Sequence, residues 1–371
     1  MSFQNIKKHF PVVNQCIYAN TAAIGLLSDE LLEWRQEHDL DFLIGGADMK
    51  MESFNMISDV KQTVGDFFGC KRDDVALIPN FSLGLNIILE GLDVGHKILL
   101  LEKDYPSVNW PFESRDFPIS YVKIDEHLEA NIEEELRTGA YTVLALSLVQ
   151  WDTGIKIDLD FLKRIKATYP EVLIIADGTQ FCGAFDFDFQ SSGIDVLGVS
   201  AYKWLLAGTG NGFMLFSKEA QTRLKPKASG FNSVNGNLKA KGVFRFVKHL
   251  EPGHLDSLCF GSLDFSLKML LNLGLKNIEE HNRGLMKKAF RCFGELGLLK
   301  EEVLQRKDHS TIFNIQGDDA LFDHLASNNV SCSQRGGGIR LSFHIYNDEK
   351  DIDRIADILK SAPGSLTTFE K

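Results

Sequence analysis

Lys203 stands in Ser200-Ala201-Tyr202-Lys203-Trp204-Leu205, just past an apolar run and just before the glycine-rich run Gly208-Thr209-Gly210-Asn211-Gly212. Asp177 follows a second apolar run, Val172-Leu173-Ile174-Ile175-Ala176, and precedes Gly178-Thr179-Gln180. An amine can condense with an aldehyde to an imine, and a carboxylate can pair with a protonated pyridine nitrogen. An amine and an acid at neighbouring strand ends are what pyridoxal phosphate needs. Alone, a lysine after a strand is usually a solvated loop residue, and an aspartate there is a turn former or cap. Gln180, the flanking Ser200 and Tyr202, the glycines and a hydroxyl-bearing turn far upstream raise the weight of the pair.

These residues must be positioned by the elements around them. Val75 to Pro79, Lys97 to Leu101, Ile119 to Ile124, Tyr141 to Leu148, Val172 to Ala176, Asp195 to Ser200 and Gly212 to Phe216 read as short strands, with helical spacing over Ser82 to Leu92 and Leu159 to Ala167. Continuous apolar strands separated by helices imply a mostly parallel sheet covered on both faces. Ligands bind such sheets beyond the carboxyl ends of the strands, where Gln150, Asp177, Ser200 and Lys203 fall. From about Ser262 to Leu296 the pattern turns helical, long enough to bridge two domains. Strand-like pieces at Ser310 to Ile315 and Gly338 to Phe343 and a helix over Glu349 to Lys360 follow. The expected division is a large domain over 21–261 and a smaller α+β domain made of 1–20 and 262–371.

The bulk properties bound the partners. With 371 residues, 44% hydrophobic and 25% charged, the chain suits a globular protein of two domains. A net charge of −11 disfavours nucleic acid and anionic membrane surfaces. Lys225, Lys227, Lys239, Lys241, Arg245 and Lys248 form the one basic stretch, a solvated surface or a funnel for an anionic substrate. The six cysteines form no C-x-x-C pair, and we expect reduced thiols in a cytoplasmic protein. No signal-peptide core and no run long enough to span a bilayer is evident. Gly208 to Gly212 lacks the ending of a nucleotide P-loop, Asp186 and Asp188 lack the partners of a calcium loop, and no metal site is expected.

Asp177, Gln180, Tyr202 and Lys203, in that order, resemble the class V aminotransferase family of pyridoxal phosphate enzymes, which includes cysteine desulfurases, selenocysteine lyases, kynureninases and isopenicillin-epimerase-like proteins. The resemblance runs from Tyr18-Ala19-Asn20-Thr21-Ala22-Ala23 to Arg340-Leu341-Ser342-Phe343-His344-Ile345-Tyr346-Asn347. It implies an aspartate-aminotransferase-like α/β fold with a seven-stranded, mostly parallel sheet. Lys203 would then form the Schiff base and later act as general base, Asp177 would hold the ring nitrogen protonated, and Gln180 would donate to the phenolic oxygen. Phe81 and Ser82, after a strand and at a helix start, would cradle the phosphate. Ser200 and Tyr202 would add hydroxyls. Tyr105, with Trp110 as the alternative, would stack on the ring. Gln150 would contact cofactor or substrate. Arg340, with Arg335 nearby, would hold the substrate α-carboxylate. Ala23 and Ile24 would line the side-chain pocket. Cys259-Phe260-Gly261-Ser262 resembles a segment that sends a hydroxyl into the neighbouring subunit, so Ser262 implies a homodimer with its active site at the interface.

The expected reaction is that of an aminotransferase-like enzyme on a small α-amino acid. The alternatives are a lyase (a kynureninase-like hydrolase or a cysteine or selenocysteine desulfurase) and a pyridoxal phosphate binder without turnover. A desulfurase needs a mobile cysteine. Cys332 lies eight residues before Arg340, in a loop too short for that, on or beside a strand. Val108 stands where a kynureninase would be expected to carry aspartate.

Overall fold

The computed structural model describes residues 3–240 and 242–362. Seven strands form one sheet: β1 (Val75–Ile78), β2 (Ile98–Leu101), β3 (Ile119–Val122), β4 (Val143–Ser147), β5 (Leu173–Asp177), β6 (Val196–Ser200) and β7 (Gly212–Phe216). Their order is β1-β7-β6-β5-β4-β2-β3. Every residue of β4 to β7 is buried, as expected of strands covered on both faces. Only β7 runs against its neighbours. The reason is local. A parallel return would need a long crossover, whereas residues 201–211 simply turn across the carboxyl end of the sheet. That turn carries Lys203.

The C-terminal helical stretch differs from expectation. It begins at Ser257, where Asp256 caps it by accepting from the Cys259 amide, and it is two helices, Ser257–Leu273 and Leu275–Glu295. Gly274, at φ +85°, breaks them, and their axes diverge by 78°. A left-handed residue cannot continue an α-helix, and glycine takes that conformation without steric cost. Beyond lie β8 (Ile312–Ile315), β9 (Ser333–Arg335) and β10 (Gly338–Ser342), an antiparallel sheet in the order β9-β10-β8. Gly336 and Gly337, at φ +57° and +75°, make the two-residue turn between β9 and β10. The helix Glu349–Ser361 closes the described chain.

The start of the chain is held by its end. Ile17–Tyr18 pairs in parallel with Val330–Ser331, and the Ala22 amide donates to Ser342 Oγ at 2.8 Å. The Gly25 amide in turn donates to the Tyr202 carbonyl at 2.9 Å. A β-carbon at Gly25 would sit 2.0 Å from the Lys203 carbonyl oxygen, so only glycine allows this approach. The N-terminal segment thus braces the lysine loop.

Two helices ahead of the sheet, Asp29–Gly45 and Met49–Phe68, fall where no pattern was read. The first fully buries only Leu31 and leaves Leu43 and Ile44 more than three-quarters exposed, so its apolar residues, spread over both sides, do not mark the inward one. The second is anchored by Lys61, whose Nζ lies 2.8 Å from a carboxylate oxygen of the wholly buried Glu251. Lys248 pairs with the same carboxylate at 3.0 Å, and the Leu77 amide donates to it at 2.9 Å. Glu251→Ala would strand two ammonium groups and an amide, and we expect a loss of about 3–5 kcal/mol in urea unfolding. A loss under about 1 kcal/mol would show the cluster to be solvated. The basic stretch is thus partly consumed internally: Lys248 serves Glu251, and Arg245 pairs with Asp73. Lys241 lies outside the described residues.

Candidate active site

Five strand ends meet at one cavity. β5 ends at Asp177, paired in register with Ser147 at the end of β4, and β6 ends at Ser200. The chain leaving β1 brings Asn80, Phe81 and Ser82, and that leaving β2 brings Tyr105. The lysine loop adds Tyr202 and Lys203, and Val149, Trp151, Thr179 and Gln180 complete the lining.

Asp177 is 5% exposed and Lys203 6%. Burial pushes the Asp177 carboxyl above the usual range. Hydrogen bonds from Thr179 and the nearby Lys203 ammonium oppose this, and the charge of Asp104 adds to it. The Thr179 amide donates to Asp177 Oδ1 at 2.8 Å, while Thr179 Oγ1 accepts from the Ser200 amide at 3.0 Å. Burial lowers the Lys203 pKa, Asp177 opposes it and Arg340 adds to it. A buried lysine lowered in this way supplies neutral amine more readily than a surface lysine.

The lysine loop is rigidly placed. The Leu206 amide donates to the Lys203 carbonyl at 3.2 Å, and Leu206 itself takes φ +57°. Trp204 Nε1 donates to Gln180 Oε1 at 2.8 Å. The Trp204 carbonyl lies 2.9 Å from His344 Nε2, which must carry the hydrogen because a carbonyl only accepts. Burial pushes that imidazole down to about 3 and keeps it neutral.

At the opposite end, Asn80 caps the helix Phe81–Leu89 by accepting from the Leu83 amide. The Phe81 amide donates to Ser200 Oγ at 2.9 Å, and Ser82 Oγ donates to Ser107 Oγ at 2.8 Å. Helix-terminal amides and three hydroxyls converging this way suit an anion. Lys203 Nζ lies 5.7 Å from the Tyr105 ring centroid and 5.5 Å from that of Tyr202. Burial first, then Tyr105 and Asp177, push the Tyr202 phenol up to about 12, so it remains a hydroxyl. Tyr105 meets Trp151 edge-on at 6.1 Å.

Arg340, on β10, is 3% exposed, and its Nη1 donates to the Trp151 carbonyl at 2.5 Å. Its Nε has no partner. Burial and Arg335 lower its pKa to about 10, which leaves it charged. Among the described residues no carboxylate forms an ion pair with it, although the charge of Asp152 opposes the lowering. The arginine does not itself line the cavity but is tied to Trp151, which does. Arg335 is exposed and donates to the Gln334 carbonyl.

Several expectations need correction. Ser262 is fully buried on the inner face of its helix. Its Oγ donates to the Leu258 carbonyl at 2.6 Å and accepts from Arg35 Nε at 2.9 Å, so it is an internal tie and cannot reach another subunit. Gln150 does not line the cavity. Its own backbone turns it inward, where Nε2 lies 3.4 Å from the Ser147 carbonyl and the side chain helps hold Asp104. Ala23 and Ile24 do not line it either. The Ile24 side chain is 45% exposed, and Ala22 makes the inward contact, its carbonyl accepting from Gln180 Nε2 at 3.0 Å. Gln180 lines the cavity with one amide hydrogen left over. Trp110 is 65% exposed and points away. Cys332 sits between two strands, with its thiol pushed up to about 12 by burial.

Ser107, Ser147, Thr179 and Trp151 were not singled out from the sequence. Thr179 and Ser107 carried a signal in hindsight: each is a hydroxyl two residues beyond a singled-out site residue.

The family model described as Aminotransferase class-V matches residues 43–355. A "Probable cysteine desulfurase" of Methanothermobacter thermautotrophicus is 21% identical, aligned over 98% of this chain and 99% of its own. The solved apo structure of a cysteine desulfurase from Thermococcus onnurineus NA1 superposes with a TM-score of 0.85 at 18% identity, covering 96% of this chain and 97% of that one. The structure of the cystine C–S lyase C-DES with its reaction product cysteine persulfide gives 0.85 at 18%, covering 95% and 99%. At such identities these likenesses establish the aspartate-aminotransferase-like α/β fold expected above.

Proposed function

The chain belongs to the class V aminotransferase family, and from that premise we propose that it is a pyridoxal 5′-phosphate enzyme that transaminates a small α-amino acid in this cavity. One observation carries the reading: a buried amine and a buried acid share a cavity whose other walls are a helix N-terminus, hydroxyls and aromatic faces. That donor set fits the cofactor's aldehyde, ring nitrogen, phosphate and ring face. When bound, the cofactor supplies an electrophilic aldehyde and an electron-accepting ring. Lys203 would hold the aldehyde carbon, and its amine would move the proton at the substrate α-carbon. Asp177 would hold a proton at the ring nitrogen. Phe81, Ser82 and Ser200 would hold the phosphate, with Ser107 orienting the Ser82 hydroxyl, and Tyr105 would cover the ring and exclude water.

Arg340 holds the substrate carboxylate. It is buried and charged and, among the described residues, forms no ion pair, Asp152 acting on it only through its charge, so an incoming carboxylate would supply its direct partner. Arg340→Ala is expected to raise KM about 10–100-fold, the loss of a charged hydrogen-bonded pair, with cofactor occupancy unchanged. Unfolding of the variant would make the arginine structural instead.

A thiol-relay desulfurase is a poorer fit, because no cysteine lines the cavity and Cys332 is packed and protonated. Lyase chemistry without a protein thiol is the second reading, favoured by the same observation. Cys332→Ser is expected to leave kcat/KM within about twofold; a collapse of activity would restore the desulfurase. The purified protein, given a panel of amino acids and an oxo-acid acceptor, should convert one of them to its oxo acid and aminate the acceptor. Release of sulfide without acceptor amination would select the lyase.

A second copy of the chain would cover the exposed Leu40, Leu43, Ile44 and Met51 of the two leading helices, which supports a homodimer. Sedimentation as a monomer would oppose it.

A further inference from the structure

We propose that Asp104 is a positioning residue that fixes the Tyr105 ring over the cavity, a role that rests on the cofactor reading above. Asp104 is 4% exposed and has no ion-pair partner among the described residues. A buried carboxylate without a counter-charge is costly and persists only when donors surround it. Here the Tyr105 amide donates to Oδ1 at 2.6 Å and the Ser147 amide to Oδ2 at 2.7 Å. The Ser147 hydroxyl and the Gln150 amide face the same group. Asp104 does not line the cavity, so it acts through what it holds.

What it holds is one turn. The chain leaves β2 at Leu101, and Lys103 takes the left-handed conformation, φ +58°. Pro106 opens the next helix and confines Tyr105 to extended backbone. Between these two constraints, the Tyr105 amide finds its acceptor in Asp104. The other carboxylate oxygen fastens the turn to Ser147, whose register partner is Asp177. The ring facing Lys203 is thereby tied to the strand ends that carry the acid. Asp104→Asn keeps the size but turns one acceptor into a donor aimed at an amide hydrogen.

The test is a double-mutant cycle on cofactor affinity. Apo-protein is titrated with pyridoxal 5′-phosphate, followed by tryptophan fluorescence, for wild type, D104N, Y105A and D104N/Y105A. D104N is expected to weaken binding about tenfold, and the double variant to bind within about twofold of Y105A, because the aspartate acts through the ring. D104N binding as tightly as wild type would overturn the proposal, as would losses that multiply. If D104N does not fold, D104E, which displaces both acceptors by one methylene, enters the same cycle. Failure of both to fold would make Asp104 a folding element and end the proposal. Wild type that does not bind the cofactor would instead reject the cofactor reading and this inference with it, a result distinct from the others.

Discussion

Lys203→Ala is expected to lower kcat about 10²–10⁴-fold, the contribution of a positioned general base, and further to the extent that covalent attachment also matters. The fold should survive. The loop is held by backbone and by neighbours, through the Leu206 amide on the Lys203 carbonyl, Gly25 on Tyr202, and Trp204 between Gln180 and His344. None of these contacts uses the lysine side chain, and removing a buried amine also removes its desolvation cost. The variant should therefore melt near the wild-type temperature and still bind the cofactor non-covalently. Its steady-state rate and melting curve decide the matter. An unchanged rate would remove Lys203 from the chemistry, and a collapsed fold would make it a packing residue.

Asp177→Asn carries the second large effect. The amide can still accept from the Thr179 amide, so the end of β5 keeps its geometry. What disappears is the negative charge, and with it the partner that holds a proton on the cofactor ring. A preorganised electrostatic contact of this kind is worth about 10²–10³ in kcat. Cofactor affinity should fall as well, since a protonated ring nitrogen in this buried site would lose its charged partner. Rate and cofactor titration report the two effects separately. An asparagine variant with wild-type turnover would show that the acid only shapes the strand end.

The parts legible in the sequence share one physical cause. β4, β5, β6 and β7 are buried on both faces and so appear as unbroken apolar runs, and the ends of the first three are marked by their first polar residues, Ser147, Asp177 and Ser200. Lys203 follows such an end, and Asn80 to Ser82 follows another. The order of strands is not written locally. Ser107, Thr179 and Trp151 matter because β2, β4, β5 and β6 finish side by side, which a residue-by-residue reading does not reveal. Ser262 and Gln150 were misplaced for a related reason. A motif fixes where a residue lies along the chain, whereas the rotation of its helix or turn decides which way it points. The helix Asp29–Gly45 escaped notice because Leu32, Leu40, Leu43 and Ile44 face outward and blur the inward positions of Leu31, Trp34 and Phe42. The break at Gly274 depends on one glycine adopting a positive φ, which its neighbours do not announce.

The central claim is a covalent link between the cofactor aldehyde and one amine. Protein incubated with pyridoxal 5′-phosphate, reduced with borohydride, digested and sequenced by mass spectrometry tests it most directly. The account predicts one modified peptide, carrying the reduced cofactor on Lys203. Label scattered over surface lysines, or a single label on any other lysine, would contradict it.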